Sequence, residues 1–268
     1  MNGTKIELTG ELPKLNNPIF IEGLPGVGNV GRIAVGYLLE ELKAKKFAEL
    51  LSSHFMPFVL IHQSSAVHVL KNEFYYWKSD KPKQRDIVFL IGDSQSVDTI
   101  GHYEIAYTII DFIEKLGVKD IITTAGLSIQ TPEKNPRLIG SVSDPKVIEK
   151  YKKYDIDFNA GSKVGTIIGA SGLLLGLGRY KNMEGICLLG QTAGMPEIPD
   201  PKTAEVILKV LIDILNIKID MSELKDKIKE MEKFMNKIQR VQSKALAQML
   251  TEQGMGGNQE KEDLKYIG

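Results

Sequence analysis

Short apolar runs alternate with longer stretches of helical period through the first four fifths of the chain. Residues 19–21 form a continuous apolar run of the buried-strand type. They lead through Gly23-Leu24-Pro25-Gly26-Val27-Gly28-Asn29-Val30-Gly31 into a helical segment over residues 30–42. A second apolar run occupies residues 55–61, and residues 66–70 and 74–77, on either side of Lys71-Asn72-Glu73, read as a hairpin. Residues 86–91 make another buried run, closed by Gly92-Asp93-Ser94-Gln95-Ser96. From Tyr103 to Leu116, the residues Ile105, Ile109, Phe112, Ile113 and Leu116 share one helical face, and Gly117 stops the helix. Further strands are predicted at 121–124 and 186–189, ending in Ala125-Gly126 and Gly190-Gln191-Thr192. Asp200-Pro201 supplies an N-cap and a proline at the first helical position, ahead of a helix over 204–215. This alternation predicts an α/β fold whose largely parallel sheet is covered by helices on both faces. Ligand sites in such sheets gather at the carboxyl ends of strands, which places Asp93, Gln95, Gly126 and Gln191 around a candidate pocket.

The pattern changes near residue 217. Leu224, Ile228, Met231, Met235 and Ile238 draw a narrow apolar seam along a charged segment, opened by Asp220 and Glu223 as a capping box. The seam continues less regularly through Val241, Ala245 and Met249, giving a helix of about 30 residues, or roughly 45 Å. A helix of that length must pack on its own domain or on another chain, and methionine on the seam favours an adaptable contact. Gly254-Met255-Gly256-Gly257 breaks it, and the polar stretch that follows reads as a flexible tail. The expected organisation is an α/β core over 1–217, a C-terminal amphipathic helix over 218–253 and a tail over 254–268.

Composition narrows the function classes. With 34 basic and 34 acidic residues the chain has no net charge to attract nucleic acid or an anionic membrane. Its apolar runs are shorter than the roughly 20 residues that span a bilayer, and no signal sequence is evident, so the expected setting is the cytoplasm. The single cysteine, Cys187, excludes an intramolecular disulfide and lies in an apolar run as a core residue. Lys, Glu and Ile usage, with little Cys or Trp, leans toward a thermophile.

Gly26, Gly28 and Gly31 satisfy G-x-G-x-x-G at a strand-to-helix turn. Yet the nearest acid that could hold a ribose, Glu49, is followed by Leu50 and Leu51 rather than by a strand end. Gly23 and Gly28 have Walker A spacing, but Asn29 and Val30 stand where a lysine and a hydroxyl belong, which argues against an NTPase. The loop therefore has two readings: an anion-binding turn using Gly23, Gly26, Gly28, Asn29 and Gly31, or a tight turn that lets a helix pack closely. Gly169-Ala170-Ser171-Gly172-Leu173 approaches a nucleophile elbow, but no histidine follows His102, so the chain order of that hydrolase fold is excluded; Ser94 and Ser171 read as turn and cap residues. The four histidines, His54, His62, His68 and His102, show no metal spacing, although His62 and His68 flank one turn. Arg32 and Arg137 read as surface or interface residues. The glycines between residues 165 and 179 read as small positions where a buried helix approaches its neighbours.

Four segments taken together resemble the proteasome assembly chaperone family in its archaeal branch, over residues 15–217. They are the glycine loop at 23–31, the Gly92-Asp93-Ser94-Gln95 strand end, Gly169-Ala170-Ser171-Gly172-Leu173-Leu174-Leu175-Gly176, and Leu188-Leu189-Gly190-Gln191-Thr192 followed by Asp200-Pro201-Lys202-Thr203-Ala204. The resemblance implies a core similar to purine nucleoside phosphorylases, no catalytic residues and no cofactor. It also implies a homo-oligomer that binds proteasome α-subunits or the α-ring. Relatives of that kind carry a terminal hydrophobic-tyrosine-any motif that docks between α-subunits, with tyrosine second from the end. Here Tyr266 is third from the end and follows Lys265, so the motif is displaced by one residue, on a tail that also bears Leu264 and Ile267. The alternative is a phosphorylase-like enzyme or sensor that holds a nucleoside or phosphate at the glycine loop, with Asp93 or Glu104 contacting a ribose or base.

Overall fold

The computed structural model describes residues 3–61, 64–129, 135–159, 165–193 and 198–226. In chain order its strands are β1 Thr4–Leu8, β2 Ile19–Gly23, β3 Lys45–Ser52, β4 Val59–Ile61, β5 Val67–Val69, β6 Asn72–Trp77, β7 Ile87–Gly92, β8 Asp120–Ser128, β9 Leu138–Val142 and β10 Glu184–Thr192. Its α-helices are α1 Val30–Glu41, α2 Thr99–Lys115, α3 Ile148–Tyr151, α4 Ala170–Tyr180 and α5 Pro201–Leu215. Eight strands form one sheet in the order β1-β3-β6-β7-β2-β8-β10-β9, and β4 and β5 form a separate two-stranded ribbon.

The sheet is parallel only at its centre. β7, β2, β8 and β10 run parallel, whereas β1, β3, β6 and β9 join antiparallel at the flanks. The parallel strands are the continuous apolar runs, buried on both faces: α1 and α5 pack together on one side, α2 and α4 on the other. β2 is buried at every position. Below α2, Phe47, Phe74 and Phe112 meet ring to ring, with Phe74 and Phe112 centroids 4.8 Å apart in an edge-on contact.

Several expectations are corrected by this topology. The hairpin expected around Lys71-Asn72-Glu73 does not form: β5 pairs with β4, and β6 pairs with β3 and β7. Only Leu70 and Lys71 separate β5 from β6, and at that crossing Lys71 is fastened to the β7 end, its carbonyl accepting from Asp93 N–H at 3.0 Å. The apolar run at 55–61 is a strand only over β4. Strands β1, β3 and β9 are additions to the predicted set, and Glu49 lies inside β3, paired with Lys46 and Lys71. α2 starts four residues before Tyr103, because Asp98 caps it by accepting from Gly101 N–H at 2.8 Å. The cap at Asp200 and the proline behind it are as expected, Thr203 N–H donating to Asp200 at 3.0 Å.

Within the apolar α4, Gly178 carries the close approach, since a Cβ there would lie 2.7 Å from Ile121, whereas Gly176 faces open space. At the C-terminal end, Asp220 accepts from Ser222 N–H at 2.9 Å, and Leu224, the first seam residue, is buried. Tyr37 donates its hydroxyl to the Asp220 carbonyl at 2.9 Å. Ile228, Met231, Met235 and Ile238, and the tail residues Leu264, Tyr266 and Ile267, lie outside the described residues. No helix among the described residues is long and apolar enough to cross a membrane.

Candidate functional site

The carboxyl ends of β7, β2, β8 and β10 form one edge, and the glycine loop lies across it. After Gly23 the chain makes a single 3-10 turn over Val27–Asn29, with Gly28 at φ +64° and Asn29 at φ +48°, and then enters α1. Positive φ at two consecutive positions explains the Gly-Asn pair, the residue types that adopt the left-handed region at least cost. The turn is closed by Asn29 N–H donating to Gly26 carbonyl at 2.9 Å and tied to α5 by Asp200 N–H donating to Gly28 carbonyl at 2.7 Å. The Asp200 carboxylate also accepts from Thr192 Oγ1 at 2.6 Å and Thr203 Oγ1 at 2.7 Å, so through its backbone and side chain one residue joins the loop, the end of β10 and the start of α5.

Steric contact explains most of the loop's other glycines. A Cβ on Gly31 would lie 2.5 Å from Thr124 Oγ1 and 2.6 Å from its carbonyl oxygen, and one on Gly23 would meet Val35 at 2.5 Å. From the opposite side, a Cβ on Gly126 would collide with the Val27 carbonyl. Gly26 differs, with extended backbone and nothing within 4 Å of where a Cβ would sit.

Beneath the loop is Glu22, which the sequence reading did not single out. Its carboxyl is fully buried, accepting from Leu24 N–H at 2.9 Å on one oxygen and from Ser171 Oγ at 2.9 Å on the other, with Thr124 N–H at 3.4 Å. Burial raises its pKa from 4.5 to about 7, against the smaller lowering effect of those three donors. Ser171 is therefore more than a cap: it links α4 to β2, and its hydroxyl also lies 3.3 Å from the Thr124 carbonyl. The only sequence signal for this group is an acid inside the otherwise apolar Ile19–Gly23 strand.

Asp93 and Gln95 do come together on the segment after β7. Asp93 contacts His68 Nε2 at 2.6 Å and Arg32 Nη2 at 3.3 Å, and accepts from Lys71 N–H at 3.3 Å. Gln95 donates to the Pro25 carbonyl at 2.6 Å and accepts from Ala170 N–H at 2.8 Å, clamping the glycine loop to the first turn of α4. Gln191 stands apart, since β2 and β8 lie between its strand and β7, a separation of roughly 14 Å at the usual strand spacing. Its side-chain oxygen is buried with no hydrogen-bond partner among the described residues. A cavity of about 470 Å³ opens at the other, amino end of the parallel strands, lined in part by Arg85, Asp120, Lys150 and Tyr151; Asp93, Gln95 and Gln191 are not among its lining residues. Arg85 and Lys150 both pair with Asp120 there, at 2.7 and 3.1 Å.

The other nucleophile and histidines have structural settings. Cys187 is fully buried in β10, and burial pushes its thiol up to about 12. His54 bridges Asp98 at 2.8 Å and Glu104 at 3.4 Å, and the hydrogen bond to Asp98 raises its pKa above the usual histidine value. His62 lies outside the described residues.

The family model named PAC2 family matches residues 20–239, from β2 past the last described residue. The chain belongs to the PAC2 family. Among curated relatives, the uncharacterized protein MJ1210 of Methanocaldococcus jannaschii is 32% identical over 258 residues, covering 96% of this chain and 95% of that protein. Among solved structures, Pyrococcus furiosus PbaB, an archaeal proteasome activator, superposes with a TM-score of 0.85 at 42% identity, covering 89% of this chain and all of PbaB. Pyrococcus furiosus PbaA, an archaeal homolog of proteasome-assembly chaperone, superposes at 0.68 with 26% identity, over 90% of this chain and 99% of PbaA. The PAC2 match and these archaeal neighbours agree with the family resemblance read from the glycine loop, the β7 end, α4 and the β10–α5 segment.

Proposed function

We propose that this PAC2 protein is a non-catalytic, homo-oligomeric, cytoplasmic factor that binds proteasome α-subunits, with residues 218–253 and the tail at 254–268 as its presenting arm. The observation that carries the reading is its likeness to PbaB, an archaeal proteasome activator, along the whole of that chain. The edge geometry supports it, because the polar groups there hold the architecture together: Gln95 joins two loops, Asp200 joins three elements, and Glu22 is sealed from solvent.

One observation favours the second reading, a phosphorylase-like enzyme or sensor. Asp93, His68 and Arg32 bring an acid, an imidazole and a guanidinium together at the end of β7, beside the glycine loop. Phosphate-dependent nucleoside cleavage by the purified protein, lost on Gly28→Val, is the result that selects it.

The tail gives the direct test of proteasome binding. A segment poor in apolar residues gains its order from a partner, and burying the Tyr266 ring with its hydroxyl satisfied contributes on the order of 2 kcal/mol. Tyr266→Ala, and removal of the last three residues, are each expected to weaken binding to an immobilised α-ring more than tenfold in surface plasmon resonance. Several tails on one oligomer amplify the loss. Equal binding by both variants places the contact on the core or the seam helix, and no binding by the full chain overturns the proposal.

A further inference from the structure

Residues 55–70 contain no Lys, Arg, Asp or Glu, and β4 and β5 form their two-stranded ribbon within that span. The ribbon has one wholly apolar face. Val59 and Ile61, opposite Val69 and Val67, occupy it, whereas on the other face Leu60 lies opposite His68. Exposure is high throughout: 75% at Ile61, 67% at Val67, 58% at Val69 and 52% at Phe58. A ribbon that faces water usually protects its edges with charge; neither strand of this one carries Lys, Arg, Asp or Glu. Two strands alone are marginal in water, so an apolar face that none of the described residues covers needs a surface to bury against.

The base of the ribbon is anchored to the core. His68 of β5 holds Asp93 at 2.6 Å, His54 just before the ribbon holds Asp98 at 2.8 Å, and Val97 N–H donates to the His54 carbonyl at 3.0 Å.

We propose that this ribbon is the surface through which two copies of the chain associate, ribbon against ribbon about a two-fold axis. Symmetry and charge select a second copy as the occupant. A two-fold contact lays a patch on itself, so any charge near the axis meets its own sign, and a patch without charged side chains avoids that repulsion. A dissimilar partner is ordinarily selected by complementary charge, which this ribbon does not offer. Among the described residues β4 and β5 pair only with each other, and antiparallel pairing across a two-fold satisfies the backbone groups on their outer edges. The inference rests on the oligomeric part of the proposed function and is independent of the proteasome.

The test uses the full chain, with mass measured by light scattering and sedimentation, and α-ring binding followed in parallel. Ile61→Asp with Val67→Asp places two carboxylates opposite one another on one face. The double variant is expected to fall to half the wild-type mass or less, with at least a hundredfold weaker self-association and unchanged circular dichroism. Ile61→Cys supplies a second readout on the same face that needs no disruptive change. Because Cys187 is fully buried, mild oxidation of this variant is expected to give a disulfide-linked dimer through residue 61. An unchanged mass in a folded double variant overturns the proposal. So does a monomeric wild-type chain, which would assign the ribbon to a different occupant. If the double variant does not fold, absence of the cross-linked dimer overturns it instead. Failure of the wild-type oligomer to bind the α-ring counts against the proposed function and leaves the ribbon contact standing.

Discussion

Glu22→Gln is expected to stabilise the protein at pH 8 by about 3 kcal/mol and to change it little near pH 4.5. The carboxyl is fully buried, and burial raises its pKa from 4.5 to about 7. Between those two values the unfolded chain has released a proton that the folded chain retains. Folding stability from this group therefore falls as pH rises through that window and stays low above it. Glutamine has no proton to lose, so the difference between variant and wild type isolates this one titration from all the others. Geometry permits the exchange. The amide oxygen takes the place of the oxygen that accepts from Leu24 N–H, and the amide nitrogen donates to Ser171 Oγ, which has the Thr124 carbonyl as its own acceptor. Only the long contact with Thr124 N–H, at 3.4 Å, is given up. Denaturant midpoints for both proteins at pH 5 and pH 8 measure the effect, with a melting-temperature gain of roughly 5–10 °C at the higher pH. A glutamine variant less stable than wild type at pH 8 would show that the three donors outweigh burial, so that folding favours the carboxylate rather than the acid.

Glu22 also marks where the sequence stops being informative. Its partners Thr124 and Ser171 lie 102 and 149 positions away, so nothing local reveals that an acid at the end of an apolar strand is sealed into a hydrogen-bonded joint. The central strands were legible because burial on both faces leaves continuous apolar runs, and α5 because Asp200-Pro201 announces it. Of the flanking strands, β1, β3 and β9 were not. β3 mixes Lys45, Lys46 and Glu49 with Phe47, Ala48 and Leu50, and β1 is partly exposed, so neither gives the unbroken apolar run used to find its neighbours. The false hairpin at residues 66–77 has a related cause: two apolar segments joined by three polar residues look alike whether the chain reverses or crosses from one sheet to another. Asp93 and Gln95 were found by their place at a strand end. What engages them, Arg32, His68, Pro25 and Ala170, comes from four other parts of the chain that only the tertiary structure brings together.

The glycine loop invites a second substitution test, in which neighbouring glycines are expected to behave in opposite ways. Gly31→Ala adds the methyl group that a helix ordinarily favours, by about 1 kcal/mol over glycine. Here that methyl meets Thr124 Oγ1 at 2.5 Å and the Thr124 carbonyl at 2.6 Å, one of them rigid backbone in the middle of the sheet. Relief requires α1 to move off β8, because turning the Thr124 hydroxyl aside would break the bond it donates to the Glu22 carbonyl at 2.8 Å and leave the backbone clash in place. Overpacking of this kind costs about 3 kcal/mol, more than the helix preference returns, and a net fall in melting temperature of at least about 4 °C is expected. Gly126→Ala should do the same from the other side, its methyl directed into the Val27 carbonyl. Gly26→Ala is the contrasting case: its backbone is extended and its surroundings are open, so stability should stay within about 0.5 kcal/mol of wild type. Gly176→Ala, in the exposed middle of α4 with nothing near the added methyl, should gain up to about 1 kcal/mol. Thermal unfolding of the four variants at one pH separates the two readings of the motif's glycines. A fall at Gly31 and Gly126 with no loss at Gly26 and Gly176 assigns the first pair to helix-against-sheet packing. An unchanged melting temperature for Gly31→Ala would remove the steric explanation and return that glycine to the anion-binding reading.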